Sequence, residues 1–263
     1  MELGLKGQRA FVLGGAQGIG RAITEAFCAE ECSVGVFDRD DPKVETLAAE
    51  LPAISRTFCG DVSNFDEVQA AAEAFGPVNH VVYAVGVGSG KFGFPFWNLE
   101  PSDWPKVLEI NLTGAANAAH AFAPKLIQAG EDGTILFLTS VAGQMGSQTD
   151  PPYSAAKAGL INFMQCAAKD FAPYKIRANA IAPGMVQTQL NRSVWAAVQE
   201  QLPEQERQDY ESWGDAKINN LAPLNRWQTP EEFGAMAVFL ASHHARNITG
   251  QTLNIDGGQV MHG

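Results

Sequence analysis

The sequence predicts a three-layer, doubly wound α/β fold on a seven-stranded parallel sheet. Three observations point to it. Seven short runs rich in Val, Ile, Leu and Phe alternate with helical patterns, and several show no polar alternation, as strands buried on both faces do. A glycine-rich stretch joins the first run to the first helical pattern. No repeat, low-complexity linker or compositional break divides the chain, so residues 1–263 are read as one dinucleotide-binding and catalytic domain.

The strand candidates are RAFVLG (9–14), SVGVFD (33–38), ISRTFCG (54–60), VNHVVYAVG (78–86), GTILFLTS (133–140), IRANAIAPG (176–184) and QTLNID (251–256). Between them, helical patterns cover 20–30, 41–51 and 63–75, the last opened by a Ser63 cap and a first-turn acid. Segment 101–130 reads as one long helix closed by Gly130, and 152–172 and 229–242 follow. His243 and His244 are read as favouring the C-terminus of that last helix. Right-handed crossovers give the strand order 3-2-1-4-5-6-7. Residues 187–224 break the rhythm: helical pattern without a strand, inserted after the sixth strand, where such insertions serve as substrate lids.

The stretch GGAQGIG (14–20) lies between the first strand and the first helix. There, glycines permit a tight turn and close backbone approach to a pyrophosphate, and the helix N-terminus supplies free N–H groups. This is the Rossmann arrangement for a dinucleotide. Asp38 ends the second strand 18 residues after Gly20, near the offset expected of a carboxylate on the adenosine ribose. A carboxylate there repels a 2′-phosphate, and Gln17 in the loop adds no positive charge, so NAD is favoured over NADP even with Arg39 alongside.

Tyr153 and Lys157, four apart, share one helix face. A phenol is a poor base at neutral pH, and a neighbouring ammonium together with a positively charged nicotinamide would lower its pKa. Ser140 ends the fifth strand, at the edge where α/β ligands bind, and could donate to a substrate oxygen. Asn111, awkward inside a helix, could hold a water behind Lys157.

The chain resembles the short-chain dehydrogenase/reductase family over essentially its whole length. The matching motifs are GGAQGIG against the family's TGxxxGIG, GDV (60–62), NLTG (111–114), Ser140, YSAAK (153–157), APG (182–184) and ITGQTLNIDGG (248–258). The resemblance implies a catalytic set of Asn111, Ser140, Tyr153 and Lys157. It places Gly14, Gly15, Gln17, Gly18, Ile19 and Gly20 on the pyrophosphate, Asp38 and Arg39 at the ribose, and Asp61 and Val62 at the adenine. Ala84 and Gly86 follow the fourth strand, Lys157 and Tyr153 hold the nicotinamide ribose, and Pro183, Gly184, Val186 and Thr188 lie near the carboxamide. Two departures stand out: the family's leading Thr is read as Gly14, and its Asn-Asn-Ala-Gly reads Tyr83-Ala84-Val85-Gly86.

Taken together, these residues imply NAD-dependent interconversion of a secondary alcohol and a ketone, with Tyr153 exchanging the hydroxyl proton. The substrate wall is expected from 87–97, 142–148 and 187–224. Gln144, Gln148, Trp97 and Trp195 would suit a sugar or polyol, and six acidic against two basic side chains in 197–217 disfavour acidic carriers. Reduction of an acyl thioester, cyclic ketone or steroid stays open, as does a catalytically silent nucleotide sensor. A formal net charge of −11 argues against nucleic acid and anionic membrane surfaces, and no apolar run approaches the ~20 residues of a bilayer span. The N-terminus lacks signal-peptide regions, and four cysteines (28, 32, 59, 166) without metal-ligand spacing are read as reduced, mostly buried thiols of a cytoplasmic protein with no metal site. The family resemblance further implies a homotetramer.

Overall fold

The structure is a computed structural model and describes residues 2–91, 93–130, 132–147 and 149–261. Seven strands form one parallel sheet in the order 3-2-1-4-5-6-7: β1 (Arg9–Leu13), β2 (Ser33–Asp38), β3 (Ile54–Cys59), β4 (His80–Tyr83), β5 (Thr134–Leu138), β6 (Arg177–Pro183) and β7 (Thr252–Ile255). Because side chains alternate along a strand, each strand feeds both layers. Phe11, Leu13, Val81, Tyr83, Ile135 and Phe137 point to one face. There they meet α3 (Phe65–Phe75), α5 (Gly114–Ala129) and α6 (Pro151–Phe171). Ala10, Val12, Val82, Leu136 and Ile181 point to the other, against α1 (Gly18–Ala29), α2 (Asp41–Glu50) and α9 (Pro230–Ala241).

Three local details differ from the sequence reading. The cap of α3 is Asn64, whose side chain accepts from the Asp66 N–H at 3.1 Å, because Ser63 is already held by Asp61. Segment 101–130 is not one uniform helix: a 3₁₀ turn (Pro101–Asp103) leads into α4 (Trp104–Leu108), then a π-helical turn (Glu109–Thr113), then α5. The last carbonyls of α9 are taken by Arg177 rather than by histidine, and His244 instead meets the Glu2 carbonyl. All four cysteines are free, but only Cys32 is buried; Cys59 and Cys166 are exposed.

All strands run the same way, so their C-terminal ends share one edge of the sheet. Gly14, Asp38, Ala84, Ser140 and Gly184 follow or end strands β1, β2, β4, β5 and β6 at that edge. Residues 187–224 rise beside it as α7 (Gln189–Glu200), a 3₁₀ turn (Glu204–Glu206) and α8 (Tyr210–Leu221). Among the described residues no helix is long and apolar enough to cross a membrane.

Candidate active site

The cradle begins where β1 meets α1. Gly14 has φ +79°, and a Cβ there would lie 2.9 Å from Val85 Cγ2. A Cβ on Gly20 would lie 1.9 Å from the Gly14 carbonyl oxygen and 3.2 Å from Ala84 Cβ. The loop therefore folds flat against the end of β4, leaving its outer backbone open to a ligand. Gln17 precedes α1 without capping it; its Oε1 accepts from Lys43 Nζ at 2.9 Å. The first-turn N–H groups of α1 have no capping side chain, as an anion site requires. Asp38 is buried, and its Oδ2 accepts the Ala16 N–H at 3.1 Å, fixing the carboxylate beside the loop. Arg39 is exposed, and Asp61 is occupied with Ser63 next to buried Val62. Gly18 faces Thr188, the cap of α7, across the sheet edge, with Ile19 half-buried behind it. Pro183 pairs with Ile255, Gly184 packs on Asp256, and Val186 bridges to Gln228. These groups fit a dinucleotide laid along the strand ends.

Tyr153 and Lys157 sit on the first turns of α6, with Lys157 Nζ 5.5 Å from the Tyr153 ring centre. Lys157 is fully buried and donates to the Leu138 carbonyl at 2.8 Å and the Val85 carbonyl at 3.4 Å. Ser140 is brought against them by a short turn (Val141–Gly143): a Cβ on Gly143 would fall 2.6 Å from the Lys157 carbonyl carbon, so only glycine lets this turn lie on α6. Asn111 is buried in the π turn; its amide donates to Val107 and Val87 carbonyls and its Oδ1 accepts the Val87 N–H. A Cβ on Gly86 would lie 3.5 Å from both Asn111 Oδ1 and Lys157 Nζ, so these two meet at this strand end, with Tyr153 beside Lys157 and Ser140 hydrogen-bonded to Tyr153.

Burial sets the electrostatics of the pair. It pushes the Tyr153 phenol up to about 12, partly opposed by hydrogen bonding with Ser140 and reinforced by the nearby Asp150 carboxylate. Burial also pushes the Lys157 ammonium down to about 7. Among the side chains alone, desolvation, which no sequence spacing reveals, sets the direction of the Tyr153 shift.

The family model described as Enoyl-(Acyl carrier protein) reductase matches residues 14–260. The chain belongs to the short-chain dehydrogenase/reductase family. Its relatives in this family include a D-threitol dehydrogenase of Mycolicibacterium smegmatis, 33% identical over 98% of this chain and 94% of that one. A 3-oxoacyl-(acyl-carrier-protein) reductase of Thermotoga maritima is 30% identical over 98% and 99%. The crystal structure of L-sorbose reductase from Gluconobacter frateurii, complexed with NADPH and L-sorbose, is 25% identical, covers 100% of each chain and superposes with a TM-score of 0.88.

The structure clarifies how this short-chain dehydrogenase/reductase departs from the family motifs. Positive φ at Gly14 and Gly18 and the close approach at Gly20 register the family's Gly-x-x-x-Gly-x-Gly on those three residues, so the leading Thr corresponds to Leu13, not Gly14. Tyr83 and Ala84 replace the Asn pair in a different way. The Tyr83 hydroxyl donates to the Ile110 carbonyl inside the π turn, and burial raises its pKa, keeping it a donor. Ala84 packs against Gly20 and donates its N–H to Leu13. Sequence reading missed the role of Tyr83, since nothing in the sequence marks the π turn. It also missed Asp150, although Asp before Pro-Pro is a legible helix cap.

Of the substrate-wall candidates, Gln144 is paired through its whole amide with Asn254, at 2.7 and 2.8 Å. Trp195 donates its N–H to the Gln208 carbonyl and stacks edge-on to Tyr210, which packs with Trp213 and Trp227. Both side chains thus make internal contacts, and the Trp195 ring stays partly exposed. Trp97 is exposed, with Phe96 edge-on to it, and Gln148 lies outside the described residues. A cavity of about 300 Å³ does form where the wall was expected, lined by Gly90, Lys91, Asn98, Ala197, Glu200 and Gln201. None of the catalytic four lines it; Gly90 at its edge follows Ser89, which Asp150 holds against α6.

Proposed function

We propose that the protein is an NAD-dependent oxidoreductase interconverting a secondary alcohol and a ketone, with a sugar or polyol as substrate. The observation that carries the reading is the convergence of Ser140, Tyr153, Lys157 and Asn111 beside the glycine cradle. The nicotinamide dinucleotide, when bound, supplies hydride transfer. The chain's own part is proton handling: the Tyr153 hydroxyl gives its proton to a carbonyl oxygen, or takes it back from the alcohol. Ser140 lies next to Tyr153 to hold that oxygen. Lys157, fixed by two carbonyls, and Asn111 form the polar path behind the phenol.

The similarity to a D-threitol dehydrogenase and an L-sorbose reductase supports the choice of a sugar or polyol. A screen of NAD reduction with polyols against NADH oxidation with keto sugars and a 3-oxoacyl thioester tests it. Turnover confined to the thioester would replace the sugar reading with the carrier-linked one favoured by the Thermotoga relative.

NAD preference rests on Asp38, whose buried carboxylate stands against a 2′-phosphate. Arg39 follows it as an exposed side chain, and Lys43 is engaged by Asp40 and Gln17. Asp38→Ser is therefore expected to move the ratio of NADP to NAD affinity by about 10²-fold toward NADP, since close like charges cost several kcal/mol. Titration of both reduced cofactors by fluorescence measures it.

A further inference from the structure

Asp150 carries an inference beyond this assignment. It caps α6, with Oδ1 accepting the Tyr153 N–H at 3.5 Å, and it is buried. Its second oxygen is not turned to solvent: Oδ2 accepts the Ser89 N–H at 2.7 Å, from the loop that follows β4. The backbone of that loop presses on the carboxylate, for a Cβ on Gly88 would sit 2.8 Å from Oδ2. Two further ties hold the same loop. Asn111 clasps Val87 through both its N–H and its carbonyl, and the Gly93 N–H donates to the Thr149 carbonyl at 2.8 Å. Val87, Ser89 and Gly93 are thus held by Asn111, Asp150 and Thr149, and the Asp150 carboxylate ties the loop to the catalytic helix three residues before Tyr153.

The charges around this carboxylate are few. Asp103, ahead of α4, acts on it as a like charge, and the cation nearest that aspartate, Lys91, is paired with Asp103 at 2.7 Å. No cation pairs with Asp150 among the described residues. On the other side stands Tyr153, faced in turn by Ser140 and Lys157. Any negative charge gained by the phenol therefore forms on the helix turn that also carries the like charge of Asp150.

We propose that Asp150 is a positioning residue of the reaction: its carboxylate latches the loop after β4, through Ser89, to the helix bearing Tyr153 and sets a like charge beside the phenol. This rests on Tyr153 being the proton-exchanging group. In physical terms the latch keeps Tyr153 a proton donor, so it favours carbonyl reduction at neutral pH and delays alcohol oxidation to higher pH.

The test compares wild type with Asp150→Asn, which removes the charge and sets an amide against the Ser89 N–H, and Gly88→Ala, which crowds the latch but leaves the charge. Hydrogen–deuterium exchange of peptide 87–93 reads the latch. The pH dependence of kcat/KM reads Tyr153, as does ultraviolet phenolate absorbance of each form minus its Tyr153→Phe counterpart. Both variants are expected to exchange the loop about tenfold faster. Asp150→Asn alone is expected to move the Tyr153 midpoint down, by about half a pH unit or more. Should Asp150→Asn fail to fold, Asp150→Ser keeps the cap, loses the reach to Ser89 and serves in its place. A midpoint that stays put with the charge removed overturns the proposal and leaves Asp150 a helix cap. Failure of the alcohol–ketone reading would show separately, as absent Tyr153-dependent turnover in wild type. The exchange and absorbance arms would still decide the role of Asp150.

Discussion

Tyr153→Phe is expected to lower kcat by about 10²–10⁴-fold, the range for loss of a positioned proton donor, with cofactor affinity close to wild type. The substitution removes one oxygen from a buried ring. It leaves the cap of α6, the Lys157 contacts to Leu138 and Val85, and the glycine cradle as they are. Single-turnover rates and NADH titration separate the two readouts. Near-wild-type turnover in this variant would end the assignment of Tyr153 to the chemistry. The shift of Tyr153 up to about 12 also fixes the sign of the pH dependence. The phenol stays protonated across neutral pH, so carbonyl reduction should be nearly flat there and fall only as pH approaches the raised value. Alcohol oxidation, which needs the proton gone, should climb with pH over the same range. A reduction rate that halves between pH 6 and 8 through Tyr153 would contradict this sign.

The parts of the site legible in sequence are those that local spacing determines. Gly14, Gly18 and Gly20 are demanded by backbone geometry within one turn, and Tyr153 and Lys157 are neighbours because a helix repeats every 3.6 residues. The strands were legible because burial on both faces strips them of polar alternation, although their ends proved shorter by one or two residues at most places. What stayed hidden depends on partners far away in sequence. Gln144 looked free for a substrate until Asn254, 110 residues on, took its amide. Trp195 likewise meets Gln208 and Tyr210, contacts that its sequence position does not announce. Asn111 was legible as an oddity but not as the residue of a π turn, whose partners Tyr83 and Val87 lie 24 or more residues away in sequence. Part of what sets Tyr153's ionisation is hidden for a related reason: spacing shows a neighbouring ammonium but not the desolvation that both groups share.

Arg177→Ala is expected to cost about 3–5 kcal/mol of stability, the largest effect we anticipate away from the chemistry. Arg177 sits in β6 within what reads as a buried apolar strand, yet its guanidinium reaches across to the end of α9. Nη1 donates to the Leu240 carbonyl at 2.6 Å, and Nη2 to Ala241 and Ser242 at 3.1 and 3.2 Å. These are helix-terminal carbonyls that need partners, and they carry the negative end of the helix dipole. Each charge-assisted bond is worth about 1.5–3 kcal/mol, and truncation leaves three buried acceptors unmet besides a cavity. Arg177→Lys should recover only part of the loss, because a point ammonium cannot fork between three carbonyls. The consequence reaches the cofactor end. Alpha-9 packs on α1 so closely that a Cβ on Gly234 would lie 2.7 Å from the Ala22 carbonyl, and α1 carries the glycine loop. Arg177→Ala should therefore lower Tm by roughly 10 °C, at about 2–4 °C per kcal/mol for a chain of this size. It should also weaken NADH binding without touching a residue of the cradle, while saturating NADH restores part of the Tm. Thermal melts with and without cofactor measure both. A melt unchanged from wild type would mean that the ends of α9 are satisfied without this side chain.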